Sequence, residues 1–166
     1  MLLTLVKWKI PMHACIKIKR SPNADTRTCD VTQVTKEGLL EASLQHIGDV
    51  GVALSFLAAK LTQAASVHDY DKLTAIDAFF ADFQTGFEKT SWWDNHRRIH
   101  RHHLGHSDGV PADVNLLDVL EMVADCVMSG LARAGEVYPI ELPDALLQTA
   151  LANTTALLSS VTEVVD

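Results

Sequence analysis

Residues 112–130 read ADVNLLDVLEMVADCVMSG, and their spacing decides the fold class. Leu116, Val119, Leu120, Val123 and Val127 recur at helical intervals and form one apolar face. Leu117, Met122, Cys126 and Met128 flank that face, so the helix is apolar around most of its circumference. Asp118, Glu121 and Asp125 stand at i, i+3 and i+7 and make a single acidic stripe. No Lys or Arg occurs from 102 to 132, although Asp108 and Asp113 also lie there. Any of these carboxylates that is buried needs a histidine, a distant basic residue or a metal cation to stabilise it. The alternative is an ordinary solvated face.

The helical period extends outward from this stretch. Thr35 is a suitable N-cap with Glu37 in the first turn. Leu40, Leu44, Ile47, Leu54, Leu57, Leu61 and Ala64 then place a long helix over roughly 36–66, with Gly48 and Gly51 in its middle. Further helices are expected at roughly 73–84, 91–104, 113–134 and 143–161, punctuated by Gly86, the 105–111 stretch, Pro139 and Pro143. The last of them, rich in Ala, Leu and Thr with Glu163 and Asp166 at its end, is expected to be a packing or dimerising element, so a homo-oligomer is an option. The first 31 residues read as a β-hairpin: Cys15–Lys19 alternates apolar and basic residues, 21–25 is turn chemistry, and Thr26–Val31 is the returning strand. The expected architecture is one mainly α domain over 1–166, with an extension and hairpin at 1–35 and a helical metal-binding part at 36–166.

A chain of 166 residues suffices for one core, and 48% hydrophobic with 21% charged residues excludes a disordered chain. The formal net charge of −7 argues against broad binding to nucleic acid or an anionic membrane. Three cysteines (Cys15, Cys29, Cys126) are an odd number without metal-type spacing, which suits a reducing, cytoplasmic compartment; a Cys15–Cys29 disulfide across the hairpin is the lesser option. No run approaches the roughly 18–20 apolar residues of a membrane span. The opening MLLTLVKWKIP is too short in its apolar part for a signal peptide. Met12 precedes the first organised segment, so residues 1–11 are expected to be an upstream extension.

Five of the eight histidines fall within DNHRRIHRHHLGH, residues 94–106. On a helix His96, His100 and His103 share one narrow face with Trp92, Trp93 and Ile99, while Arg97, Arg98 and Arg101 point away. Buried histidines need hydrogen-bond partners or a metal. The outward arginines could hold nucleic-acid phosphates, although a solvated face explains them as well. Upstream, residues 67–72 read VHDYDK. His68 and Asp69 can reach one cation where the chain turns at the end of a helix, offering a nitrogen that suits Mn, Fe, Co, Ni or Zn and a hard oxygen.

HDYDK at 68–72 resembles the HDxxK form of the HD superfamily of helical, metal-dependent phosphohydrolases. HHLGHSDGVP at 102–111 is similar to a segment of the HD-GYP branch, and MVADCVMSGL at 122–131 resembles the later helix that carries the superfamily's last metal-binding aspartate. Chains with this arrangement also look like small phage proteins. The resemblance covers roughly residues 46–131. It implies an HD-like bundle of about five helices in which His68, Asp69 and Asp125 hold one or two divalent metals (Mn, Fe, Co, Ni, Zn or Mg). It also implies Lys72 near a substrate phosphate. The superfamily's first ligand is a histidine in the preceding helix, for which His46 is the candidate here, but His46 lies about 33 Å from His68 along an unbroken helix. Either the chain reverses near residue 57, or a histidine of 96–103 replaces it. Asp71 stands where HDxGK chains carry glycine.

The function that follows is hydrolysis of a nucleotide or related phosphate ester, with Asp118 or Glu121 as general base and Lys72 meeting phosphate charge. The competing reading is a non-catalytic, metal-stabilised phage accessory or virion protein with a closed coordination sphere.

Overall fold

A computed structural model describes residues 15–106 and 108–165, so the expected extension at 1–11 lies outside the described residues. The element order is β1 (Ile16–Lys19), a 3-10 turn (Pro22–Ala24), α1 (Lys36–Val67), α2 (Asp71–Thr74), α3 (Ile76–Phe83), α4 (Trp92–Ile99), α5 (Leu116–Ala134), α6 (Asp144–Ser160) and β2 (Thr162–Val165). The fold is mainly α, as expected. The described residues group into two compact units, 15–55 with 157–165, and the described part of 56–156.

In the first unit β1 forms where the alternation of Ile16 and Ile18 predicts it, but its partner is not the 26–31 stretch. β1 pairs in parallel with β2, Ile16 opposite Thr162 and Lys19 opposite Val165. The return strand fails because aspartates claim its backbone. Asp25 Oδ1 accepts the Arg27 N–H at 2.8 Å and Asp30 Oδ1 the Thr32 N–H at 3.0 Å, holding the segment in successive turns. The β-branched run Thr162, Val164 and Val165, expected to lie beyond a helix end, supplies the second strand instead. All three cysteines are free thiols. Thr35 caps α1 as expected, its Oγ1 accepting the Gly38 N–H at 3.1 Å.

α1 runs without a break from Lys36 to Val67, so no reversal occurs near residue 57. Helical segments between Lys36 and Thr74 include an 18-residue window of mean hydropathy 1.4, making α1 the one described helix long and apolar enough to cross a membrane by length and composition.

In the second unit Leu104, Val114, Met122 and Ala150 form the buried core, with Leu116, Val119, Ile140 and Leu146 packed against it. α5 starts three residues later than the spacing predicts because Asn115 makes a capping box: its side chain accepts the Leu117 N–H, while Asp118 accepts the Asn115 N–H at 2.9 Å. The helix ends on Gly135 in the left-handed conformation, and the returning chain crosses so close to Gly130 that a β-carbon there would sit 2.6 Å from the Glu136 carbonyl oxygen. α6 docks through Thr154, whose Oγ1 accepts the Leu116 N–H at 2.8 Å.

α4 is shorter than the expected helix over 91–104. The carboxylate of Asp82, fully buried at the end of α3, starts it by accepting the Trp93 N–H at 2.9 Å. It stops at Ile99, and His100 has extended backbone. His100, His102 and His103 therefore lie beyond the helix, and their positions follow from the loop and not from the 100° helical spacing.

Candidate metal centre

The centre is assembled entirely within residues 56–156. α1 ends at Val67, and Asp69 adopts φ 51°, in the left-handed region that non-glycine residues occupy at a cost. That single turn reverses the chain and presents His68, Asp69 and Asp71 to one side. α5 contributes Glu121 and Asp125, and the chain at and after the end of α4 contributes His96, His100, His102 and His103.

Two carboxylates orient the imidazoles. Asp71, an acceptor only, takes the His96 Nδ1–H at 2.9 Å and the His100 Nε2–H at 2.8 Å. Glu121 takes the His68 Nδ1–H at 2.9 Å. Each such bond fixes a tautomer, so the Nε2 atoms of His68 and His96 carry bare lone pairs. The His68 lone pair faces Asp69 Oδ2 at 3.7 Å and Asp125 Oδ1 at 3.8 Å. The His96 lone pair faces Asp69 Oδ1 at 3.4 Å and His103 Nε2 at 2.9 Å.

Most of these separations are too long for hydrogen bonds. Two ligands at about 2.1 Å from a cation stand roughly 3.0 Å apart at a right angle and roughly 3.4 Å apart at the tetrahedral angle. The His96 separations of 2.9 and 3.4 Å match these edges, and the His68 separations of 3.7 and 3.8 Å are wider. His102 is fully buried; its Nε2 lies 3.5 Å from Asp69 Oδ1, and its Nδ1 lies 3.1 Å from Glu121 Oε1 but is misaligned for a bond. Both nitrogens of His102, and Asp69 Oδ1, are buried without a hydrogen-bond partner. With the proton of His102 on Nδ1, beside Glu121, its Nε2 and Asp69 Oδ1 are two buried acceptors facing each other, which fits a donor set for a cation.

The donors divide into two positions that share Asp69. On the inner side Asp69 groups with His96 and His103 and, separately, with His100 and His102, its Oδ1 facing Nε2 of His96 and of His102, while the outer position has Asp69 Oδ2, His68 Nε2 and Asp125 Oδ1. Trp92 and Trp93 stack against His96 at 4.9 and 5.1 Å between ring centres and keep the inner side dry.

The charge states suit metal binding. Burial lowers the affinity of His96 for a second proton, against the pull of Asp71 and Asp69. Burial, with His102 and His96 beside it, pushes His103 down to about 3. Burial would raise the Asp69 carboxyl, but the Lys72 ammonium with His68 and His96 outweighs it and keeps the group ionised. For Asp71 too, burial is outweighed by its bonds to His96 and His100. The His102 imidazole, aided by His68, holds Glu121 below its ordinary value against burial. Neutral imidazoles and ionised carboxylates are the ligand forms that bind metal.

The expected site residues take the following places. His68, Asp69, His96, His103 and Asp125 come together with ligand atoms facing one another. His100 joins them, but its Nε2 is engaged by Asp71. His46 is exposed on α1 and belongs to none of these groups. Lys72 is bonded through Nζ to Asp69 Oδ2. Glu121 orients imidazoles where a general base was expected. Asp118 is drawn off altogether, because Arg101 grips it in a two-pronged ion pair at 2.7 and 2.8 Å and also reaches Asp113. Arg101 is thus the basic partner that the 102–132 stretch lacks. Arg97, expected to point outward, is buried between Asp94 and Asp108, which leaves Arg98 of the three arginines on an exposed surface. His102 and Asp71 also belong to these groups, although helical spacing does not single them out. The pattern His-Asp-x-Asp at 68–71 is the signal that could have pointed to Asp71.

Replacing Asp118 by Ala removes both the α5 cap and the Arg101 clamp without touching a ligand. We expect a loss of about 1–3 kcal/mol and a Tm lower by roughly 2–10 °C. Metal content by elemental analysis should stay unchanged. A general base would instead leave Tm in place and lose turnover.

Comparison with known families, with curated proteins and with solved structures finds no match for this chain.

Proposed function

We propose that this chain is a metal-dependent phosphohydrolase of the HD type, acting on a nucleotide or related phosphate ester. The observation that carries the reading is the outer position. His68 and Asp125 each keep close to a third of their side chains exposed (30% and 29%), so a cation held there has a face open to solvent and substrate. A purely structural site closes its coordination sphere. The inner position, with His96 and His102 fully buried, has that closed character and suits a stabilising ion.

Bound at the outer position, a divalent cation would lower the pKa of a water and neutralise phosphoryl charge. The chain's own residues do the rest. Asp69 ties the two positions together, Glu121 and Asp71 hold the imidazoles in their ligand tautomers, and the tryptophans exclude water from the inner side. Lys72 stands at the Asp69 edge of the outer position and offers a point charge to an incoming phosphate. Free thiols suit a reducing compartment, and we place the protein in the cytoplasm, that of the host if a phage encodes it.

The second reading, a metal-stabilised phage accessory or virion protein, is favoured by the closed inner position alone. Elemental analysis of purified protein with a panel of nucleotides and phosphomonoesters, manganese added, separates the two. The hydrolase reading expects bound metal and release of phosphate from at least one class of ester. Bound metal with no hydrolysis across the panel leaves the accessory reading.

A further inference from the structure

Helix α1 carries an apolar seam that its own packing does not use. Leu40, Leu44, Ile47, Gly51, Leu54 and Ala58 follow at alternating steps of four and three, and Leu61 and Ala65 continue the series. At about 100° per residue these positions fall within an arc of roughly 100° along nearly four heptads. Leu40, Leu44, Ile47 and Leu54 are each more than half exposed. Ala42, the one buried residue of α1, lies on the opposite side of the helix, as do Gln45, Asp49, Phe56 and Lys60.

We propose that this seam is a homodimer interface, in which α1 of a second copy packs along it as a two-stranded coiled coil.

Three observations favour a second copy over other occupants. The alternating step of four and three is the period that lets two like helices interlock, and it is sustained long enough to specify pairing. Flanking positions decide whether a seam selects a differently charged chain, and here Glu41 is the one charged residue among Glu41, Ser43, Gly48, Val50, Ser55 and Leu57. A seam from residue 40 to 65 is about 39 Å long and roughly 10–12 Å wide, and interdigitation carries the area over two copies past about 1,000 Å², where specific interfaces begin. A membrane fits less well. The most apolar stretch of the helix, 50–67, leaves Asp49 just outside it, but a span there would hold the Lys60 ammonium near the middle of a hydrocarbon layer about 30 Å thick.

The test is the mass of the full chain in solution by light scattering, with metal present, at about 1–100 μM. Wild type is expected at twice the 18.2 kDa chain mass, dissociating on dilution. Leu44→Glu with Leu54→Glu, both at exposed positions, should run at the single-chain mass with an unchanged far-ultraviolet circular dichroism spectrum. The milder Leu44→Gln with Leu54→Gln serves if the acidic pair misfolds. Leu131→Glu, exposed but off the seam, should remain dimeric. A monomeric wild type throughout, or seam variants that stay dimeric, overturns the proposal. So does a monomer that sediments with phosphatidylcholine–phosphatidylglycerol vesicles, which would make the helix a membrane contact. None of these readings depends on catalysis, so the interface and the hydrolase reading stand or fall separately.

Discussion

Stripping the protein of metal with a strong chelator is expected to lower its Tm by roughly 5–15 °C. A cation that binds only the native state at a hundred to a thousand times its Kd contributes about 2.7–4.1 kcal/mol, and each kcal/mol is worth about 2–4 °C in a domain of this size. His102→Leu sharpens the prediction through its sign. In the metal-free protein Nε2 of His102 is buried with no hydrogen-bond partner, 3.5 Å from Asp69 Oδ1, and such a group costs about 1–3 kcal/mol. An apolar residue of similar volume removes that cost, so the metal-free Tm of His102→Leu should equal or exceed that of wild type. Its gain on adding metal should fall sharply, since the inner position loses a ligand. Scanning calorimetry of both proteins, with and without metal, reads this directly. A wild type that purifies without metal and melts unchanged in chelator would falsify the metal-centre reading. A metal-free His102→Leu that melts well below wild type would show that the imidazole serves packing or a hydrogen bond instead.

The parts of this site that spacing revealed are those lying inside regular helices. Asp118, Glu121 and Asp125 form one stripe because α5 is an unbroken helix there, and that placement holds even though Asp118 turns to Arg101. The histidines were harder to read. His96, His100 and His103 share a face only while the helix continues, and α4 ends at Ile99. Past that point the loop decides which way each ring points. His102, which ideal spacing turns away, becomes fully buried among the ligands, while His100 is taken up by Asp71. The strand pairing has the same lesson at longer range. The alternation at Ile16 and Ile18 is a local signal for a strand, but its partner lies 146 residues away at Thr162, and nothing near β1 names it. The adjacent pair His68 and Asp69 was legible as a possible cation site because a single left-handed residue after a helix is enough to turn both side chains to one side.

Lys72 is the residue on which the hydrolase reading can be separated from a purely structural metal site. Its Nζ is bonded to Asp69 Oδ2, the oxygen that the outer cation also needs, and it packs 6.0 Å from the ring centres of Phe79 and Trp93. An ammonium competing for a ligand oxygen weakens cation binding, so Lys72→Ala is expected to bind metal at least as tightly as wild type. The metal-free variant should lose stability, because Asp69 then keeps its charge in a partly buried place without its cationic partner. If the site handles phosphate esters, the same lysine meets the incoming phosphate, and its loss removes a charge-assisted contact of about 1.5–3 kcal/mol, or roughly a ten- to hundredfold fall in turnover. Tighter metal with slower hydrolysis is thus the expected signature. Asp125→Asn provides the contrast, since an outer ligand lost should weaken metal binding and turnover together. Titration of manganese by calorimetry, beside steady-state rates on the best ester of the panel, distinguishes the two variants. Weaker metal binding in Lys72→Ala would mean that the lysine supports the ligand and does not compete for it. Full activity in that variant would remove Lys72 from phosphate recognition and leave the charge of the ester to the cations alone.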